Sequence, residues 1–539
     1  MIDLRNIETI KSVIEMVESN ENKSRIDKHA TDYEIAFGNQ KKIIIDDLSR
    51  LYPETYGAMK IVNLAIARKI LRKLSRCYSA GCIREVIEVK TGEKNQVLTD
   101  LFNVIYALAD ENGNDFNMVM QKANEYYTNN RYVEVFCYQD NSNLIRFKSM
   151  PQYLFTSVPN NTKTMAEVIV FKQDKADFTE IEKFIDWGEQ SIDRDNAEVI
   201  GIYTFWSKTD NFTIVNMRTR QMDAKGAFQG EIFTPVFVKN DSNKDKKNPW
   251  GVMPFAPVKE ITEGFFYPYG SEIAEMSKEI NLILCDIITI AAQQGFGQAV
   301  IYFDGDQPPA ITKTGPTNVI NIPNKTGNSK FEFANANPDL PGHMGVCLSL
   351  VRMLLTTNDL TTDKVSGELS ATNFASAIDR LIADSETVEN IEDQRKKYIV
   401  AENNIFKIVI AILKYMMESN TWPSEYPKVS KELLDTVKFK LKLSFNSIKP
   451  LTTEKERAET ISLLEEKGFI YPYEKYMRFF EGMTEKEAKE RMDEIEKIRK
   501  ERAKSILEDN ARGGINQENR PDGTGQKDKI ENGDTQDIE

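Results

Sequence analysis

The chain has 539 residues, 40% of them hydrophobic and 28% charged, which is typical of a folded protein with roughly two to four packed units. Its formal net charge is -13, from 70 Lys and Arg against 83 Asp and Glu. This balance argues against a protein that coats DNA regardless of sequence, because tight phosphate binding needs clustered cations. It is compatible with a protein through which DNA only passes.

Residues that ligate metals are scarce. The chain has only two histidines, His29 and His343, and its five cysteines form no Cys-x-x-Cys pair. This pattern predicts free thiols in a reducing compartment, no structural zinc and no cofactor. The cysteines are Cys77, Cys82, Cys137, Cys285 and Cys347.

Neither a targeting signal nor a membrane span is apparent. The first thirty residues are charged and amphipathic, without the apolar core of a signal peptide. The most apolar window, 280–292, is shorter than the ~18 residues of a span and contains Asn281, Asp286 and Thr289. We therefore expect a soluble protein made in the cytoplasm.

The first two regions predict a helical part followed by a sheet. Up to about Glu125, two apolar stripes at helical spacing predict helices. From Arg131 to Lys239, six short β-branched and aromatic runs separated by turn residues predict a mostly antiparallel sheet of meander type. The Lys/Asp-rich segment 239–251 favours a solvated loop over a nucleic-acid patch. The stripes are Ile61, Leu64, Ala65, Ile70, Leu71 and Leu74, then Leu98, Leu101, Phe102, Ile105 and Leu108.

The third region combines two helices with a small insert. Gly270–Gln294 predicts a helix with acidic residues in its first turn, where they complement the positive helix end. The strand-like runs at about 298–342 are too few to bury a good core alone. A second helix is predicted from about His343 to Asn358, followed by a polar loop. Its apolar stripe is Val346, Leu350, Val351 and Leu354.

A very long helix is predicted after this loop. From Ser370 or Thr372 to about Ser419 the chain has no Gly or Pro, which gives a helix on the order of 70 Å. The alternation in Val437–Phe445 predicts a half-exposed strand, and 451–506 predicts charged helices. Beyond Asn510 almost no apolar residue remains, which predicts disorder.

The order of these elements, with three stretches, resembles the portal proteins (head-to-tail connectors) of tailed bacteriophages. NPWGVMPFAPV (248–258) resembles the strand before the first stem helix of that family. VSGELSATNFASAIDRL (365–381) resembles the passage from tunnel loop to wing helix. The stretch 451–497, which begins LTTEKERAETISLLEEKGF, resembles the crown pattern of helix, turn and acidic helix.

The resemblance implies an α+β fold that assembles as a ring. It divides the chain into a wing (1–267, with an antiparallel sheet at about 131–239), stem helix 1 (268–297), a small β-containing clip (298–342), stem helix 2 (343–358), a tunnel loop (359–372), a long wing helix and wing strand (373–450), a helical crown (451–510) and a disordered tail (511–539).

The resemblance also implies a function and partners. About twelve subunits would form the DNA channel at one capsid vertex of the virion, after assembly in the host cytoplasm. The ring would dock the terminase large subunit for genome packaging and then the head-tail adaptor, beside the major capsid and scaffold proteins. Double-stranded DNA would pass through it during packaging and ejection. No membrane partner, cofactor or enzymatic activity is implied.

Site residues follow from the same resemblance. Lys364 either faces DNA or is a solvated loop lysine, and Arg352 either lines the channel or forms an intersubunit salt bridge. The tunnel loop would present Thr361, Thr362, Asp363, Lys364, Val365, Ser366, Gly367, Glu368, Leu369 and Ser370. The clip would contact its partners through Phe303, Asp304, Asp306, Gln307, Lys313 and Asn318.

Two other classes compete with a portal. An enzyme is disfavoured because the sequence has no GxxxxGK[ST] motif and no GxSxG motif beside either histidine, although a metal-dependent nuclease built from carboxylates alone stays open. Another virion or scaffold protein is the second alternative. The insert between two helices argues against a simple scaffold.

Overall fold

The computed structural model divides the chain into two compact units, Met1–Ile448 and Lys449–Glu539. The first unit is mixed α+β. In the second unit, the described helix covers 488–498. The described residues are 2–160, 165–173, 197–222, 228–238, 246–259, 270–294, 298–303, 319–323, 330–334, 339–358, 360, 377–446, 488–498 and 500.

Six helices and one strand form the N-terminal part of the first unit. Five of the helices begin after an Asn, Ser or Asp whose side chain accepts a hydrogen bond from a backbone N–H of the first turn, which explains where they start. The elements are α1 (Ile7–Val17), α2 (Asn20–Phe37), α3 (Gln40–Leu51), α4 (Ile66–Leu74), β1 (Cys82–Glu88), α5 (Gln96–Ala107) and α6 (Phe116–Asn130).

The prediction for this part is confirmed in the second stripe and only partly in the first, whose residues Ile70, Leu71 and Leu74 are buried on α4. Leu98, Leu101 and Ile105 are buried on one face of α5. Ile61 and Leu64, however, precede α4 and are not helical. The strand β1 was also not predicted in this region.

The sheet region contains two sheets rather than one meander. Strands β4 to β8 form a five-stranded antiparallel sheet in chain order, so the meander is confirmed there. β2 instead pairs with β3 and with β9, which lies within the stretch 248–258. The strands are β2 (Val133–Gln139), β3 (Ile145–Pro151), β4 (Thr156–Pro159), β5 (Ala166–Gln173), β6 (Ala197–Ser207), β7 (Asn211–Met222), β8 (Phe228–Phe237) and β9 (Phe255–Val258).

In the next part of the chain, three strands that form one sheet lie in sequence between two helices. α7 covers Glu272–Gln294 and α8 covers Leu340–Thr357. α8 therefore begins three residues before the predicted His343, because Asp339 accepts a hydrogen bond from the Gly342 N–H at 2.9 Å. Between them lie β10 (Gln298–Phe303), β11 (Val319–Pro323) and β12 (Lys330–Ala334), with β10 in the centre, parallel to β11 and antiparallel to β12.

The C-terminal half of the long helix α9 lies in the main hydrophobic core. α9 covers Ala377–Glu418, 42 residues, and so is about 63 Å long. The predicted apolar C-terminal end is buried against β2, β9 and β13. β13 covers Phe439–Phe445 and pairs antiparallel with β1. The strand was predicted to start at Val437, but that side chain is 82% exposed and precedes the pairing.

A carboxyl group is buried in the central strand β2. Glu134 is 1% exposed and lies opposite Met150 of β3 and Pro257 of β9. Loss of water raises the pKa of Glu134 to about 8, although the Tyr132 hydroxyl donates a hydrogen bond to its Oε1 at 2.5 Å. At neutral pH the folded chain therefore keeps a proton here, whereas an unfolded chain, whose glutamate has its ordinary pKa of 4.5, has released it.

We expect Glu134→Gln to remove a pH dependence of stability. Because the folded pKa is raised, the stabilisation from this group is complete below the unfolded pKa and is lost as pH rises through about 8. Wild type should thus lose roughly 1–3 kcal/mol relative to the Gln variant between pH values near 6 and 9. Urea unfolding across this range measures the difference. The exposed Glu93→Gln should run parallel to wild type, and a Glu134→Gln profile that did the same would contradict the assignment.

Candidate functional site

The N-terminus of α7 is tied to α2. Ser271 Oγ accepts a hydrogen bond from the Ala274 N–H at 3.1 Å, and Glu272 and Glu275 lie in the first turn as predicted. The Ser271 N–H donates to Asp32 Oδ2 of α2 at 2.7 Å. Burial raises the pKa of Asp32 to about 6, although this hydrogen bond lowers it. The start of α7 is therefore fixed to α2.

Four side chains along one stripe of α7 bind the backbone of the segment before α4 and of the first turn of α4. The positions 277, 281, 285 and 289 are spaced four apart, so they lie on one face of the helix. They accept hydrogen bonds from backbone N–H groups as follows: Thr289 Oγ1 from Lys60 at 2.9 Å, Cys285 Sγ from Val62 at 3.1 Å, Asn281 Oδ1 from Leu64 at 2.7 Å and Ser277 Oγ from Ala67 at 3.1 Å.

This polar stripe explains why Ile61 and Leu64 are not helical. The segment is held extended because its alternate N–H groups are satisfied by α7 instead of by a helix turn. In the sequence alone, Asn281 and Thr289 are visible only as interruptions of an apolar window. The four-residue spacing of Ser277, Asn281, Cys285 and Thr289 was the signal that could have identified a hydrogen-bonding face of α7.

All five cysteines are free and buried. Burial raises the pKa of the Cys285 thiol, so it acts as a packing and hydrogen-bonding group rather than as a nucleophile.

α8 packs on α7 with one side only. Cys347, Leu354 and Leu355 are buried in a cluster that also holds Ile280 and Ile287 of α7. The predicted stripe is therefore partly wrong. Val346 is 57% exposed, while Leu350 and Val351 lie at the edge of the cluster.

The exposed side of α8 has a polar strip between two apolar edges. Successive residues of a helix are about 100° apart, and on this spacing four small or polar residues form the centre of the exposed side of α8. Val346 and Met353, 57% and 62% exposed, lie along one edge. Met344 and Leu348, 41% and 50% exposed, lie along the other. The strip residues are Gly345, Ser349, Arg352 and Thr356.

The structure describes only a few of the predicted site residues. Arg352 is exposed, and among the described residues it forms no ion pair, so its two predicted roles are both left open. Phe303 ends β10 opposite Pro323. Leu360, the second residue of the predicted tunnel loop (359–372), is buried beside α8. Outside the described residues lie Asp304, Asp306, Gln307, Lys313, Asn318 and all ten predicted tunnel-loop residues, 361–370, including Lys364.

Residues that could ligate a metal ion do not come together in the described part of the chain. There, no three His, Cys, Asp or Glu side chains are close enough to hold a metal ion. His29 is fully buried, with its Nδ1 at 2.5 Å from Asn130 Nδ2, whereas His343 is exposed on α8. Among the helices that are described, none is both long and apolar enough for a membrane span.

Comparison with models of known protein families finds no match for this sequence, and a search of curated proteins finds no significant relative.

Proposed function

We propose that this protein is a phage portal protein, the ring that forms the DNA channel at one capsid vertex. The first support is the order of elements. A helix, a three-stranded sheet, a second helix and a helix of 42 residues follow one another, and the first two helices pack together. On this proposal α7 and α8 are the stem, β10 to β12 belong to the clip and α9 is the wing helix.

The observation that carries the proposal is the exposed side of α8. A channel-lining helix in a closed ring meets DNA and water in its centre and a neighbouring subunit on each flank. The polar strip with Ser349 and Arg352 suits the first environment, since it contains one cation and cannot hold phosphates tightly. The two apolar edges suit contact with the neighbouring subunits, since a monomer gains nothing by exposing apolar side chains.

The partners of such a ring follow from the family resemblance. The clip would dock the terminase large subunit during packaging and the head-tail adaptor afterwards. The major capsid and scaffold proteins would surround the wing. Double-stranded DNA would move past α8 and the loop 361–370.

Negative-stain electron microscopy of the purified full chain, with mass from light scattering, tests the proposal. We expect rings with a central channel and a mass near twelve times that of the 61.7 kDa chain. A compact monomer or dimer without a channel would contradict the autonomous ring. Metal-dependent nuclease activity would then be the next measurement.

A further inference from the structure

The helix α4 carries an unusual concentration of positive charge. Between Thr55 and Arg84 the chain contains seven Lys or Arg and no Asp or Glu, within a protein of net charge -13. Four of these cations, Arg68, Lys69, Arg72 and Lys73, lie in the nine residues of α4. We call their four side chains the basic face of α4.

The basic face points away from the protein. The opposite side of α4 is buried through Ala67, Ile70, Leu71 and Leu74, all 6% exposed or less. On the basic face, the first three cations are exposed and Lys73 is half-buried. Among the described residues, none of the four forms an ion pair.

The helix itself accounts for only two of these four cations. Arg72 and Lys73 lie in the last turn, where positive charge complements the negative helix end. Arg68 and Lys69 lie in the first turn, where positive charge is unfavourable, and the N-cap residue Ala65 offers no side chain that could cap that end. A helix optimised only for stability would carry acidic residues there.

The backbone of α4 is also anchored at both ends. Its C-terminal end is held by Gln394 of α9, whose Nε2 donates to the Leu74 carbonyl at 3.3 Å. Its N-terminal end is held by the Ala67 N–H, which donates to Ser277 Oγ. The charges are therefore presented on a fixed surface, which lowers the entropy cost of binding a partner.

We infer that the basic face of α4 binds the phosphate backbone of double-stranded DNA, without sequence specificity. A lipid surface is a poorer fit, because a basic amphipathic helix binds membranes by inserting its apolar face, and that face is buried here. A folded protein partner is a poorer fit because the face offers no exposed aromatic or aliphatic anchor. Cations repeated at four-residue steps, about 6 Å apart along the helix, suit a regular array of phosphates.

DNA binding by this face does not require a portal ring. It concerns a wing helix rather than the channel strip of α8, and DNA binding and ring formation are measured separately.

The test is fluorescence anisotropy of the full-length protein with a labelled random duplex of about 30 base pairs. For three or four phosphate contacts, we expect the affinity to fall about 40- to 150-fold between salt concentrations near 50 and 200 mM. The variant R68Q/K69Q/R72Q/K73Q should lose at least about tenfold at the lower salt concentration, with a shallower salt dependence. Gln keeps the helix propensity of α4.

A matched control removes the same charge elsewhere. Lys90, Lys407, Lys440 and Lys442 are exposed, so their fourfold replacement by Gln should leave DNA binding within about twofold. Circular dichroism and light scattering check that all three proteins have the same fold and mass.

Four results would overturn the inference. Wild type could show no salt-dependent DNA binding, or the α4 variant could bind as wild type does. Polyglutamate could compete for the labelled duplex better than unlabelled DNA of equal charge, which would assign the face to an acidic protein. The α4 variant could change the mass of the assembly and not its affinity for DNA, which would assign the basic face to contacts between copies of the chain.

Discussion

Replacing Arg84 by Met should lower the free energy of unfolding by about 3–5 kcal/mol, because the substitution leaves a buried carboxylate without its counter-ion. Arg84 and Glu402 are 5% and 0% exposed at their side chains. Arg84 Nε donates to Glu402 Oε2 at 2.6 Å, and Arg84 Nη2 donates to Glu402 Oε1 at 2.8 Å. The Tyr78 hydroxyl also donates to Glu402 Oε1, at 2.5 Å.

The surroundings of Arg84 explain why a Met side chain cannot replace the contacts of the guanidinium. The guanidinium lies 4.8 Å from the ring centroid of Phe116 and 5.3 Å from that of Tyr106, and its Nη1 donates to Asn117 Oδ1 at 2.7 Å. These contacts join β1, α5, α6 and α9, so the pair connects the long helix to the N-terminal part of the chain. Loss of Arg84 removes all of them together.

Urea unfolding of the Arg84→Met, Glu402→Leu and double variants measures this coupling. The double variant should be more stable than the sum of the single effects predicts, since two apolar side chains can replace a buried ion pair at similar volume. The exposed pair Lys396–Asp393 is the matched control, and Lys396→Met should change stability little. An Arg84→Met cost no larger than that of the control would show that the pair does not stabilise the fold.

Replacing both Val346 and Met353 by Asp should abolish ring formation without unfolding the subunit. This prediction rests on the proposed portal function. The two side chains are 57% and 62% exposed in a single chain, so the monomer tolerates charge there. In a ring, each carboxylate would be buried against a neighbour without a partner, at a cost of several kcal/mol per interface. A closed ring repeats this cost at every interface.

Light scattering and electron microscopy of the Val346→Asp/Met353→Asp variant check the outcome. Ser349→Asp is the matched control, because Ser349 lies in the polar strip of the same exposed side and should keep the ring. A thermal melt separates assembly from folding. Intact rings from the double variant would show that this edge of α8 does not face a neighbour. If only Ser349→Asp lost its rings, the polar strip would be the part of α8 that faces a neighbour, and the apolar edge would not.

Local pattern alone was sufficient where a segment satisfies its own backbone or pairs with the next segment. The stripe of α5, the strands β5 to β8 and the helices α7, α8 and α9 were all predicted within a few residues, whereas the short strand β4 was not. Spacing of 3.6 or 2 residues is visible in a short window, and hairpin neighbours are close in the sequence. These elements confirm the α+β class that the resemblance implies.

Tertiary structure decided the features that join distant segments. Nothing near Leu64 predicts that its N–H is satisfied by Asn281, 217 positions away, so a helix was predicted where an extended segment lies. The assignment of β2 to a separate sheet depends on β9, and the burial of Glu134 depends on both neighbours of β2. Arg84 finds Glu402 across 318 positions. In each case a buried polar group must find a partner, and the folded chain brings that partner from a segment that no local window contains.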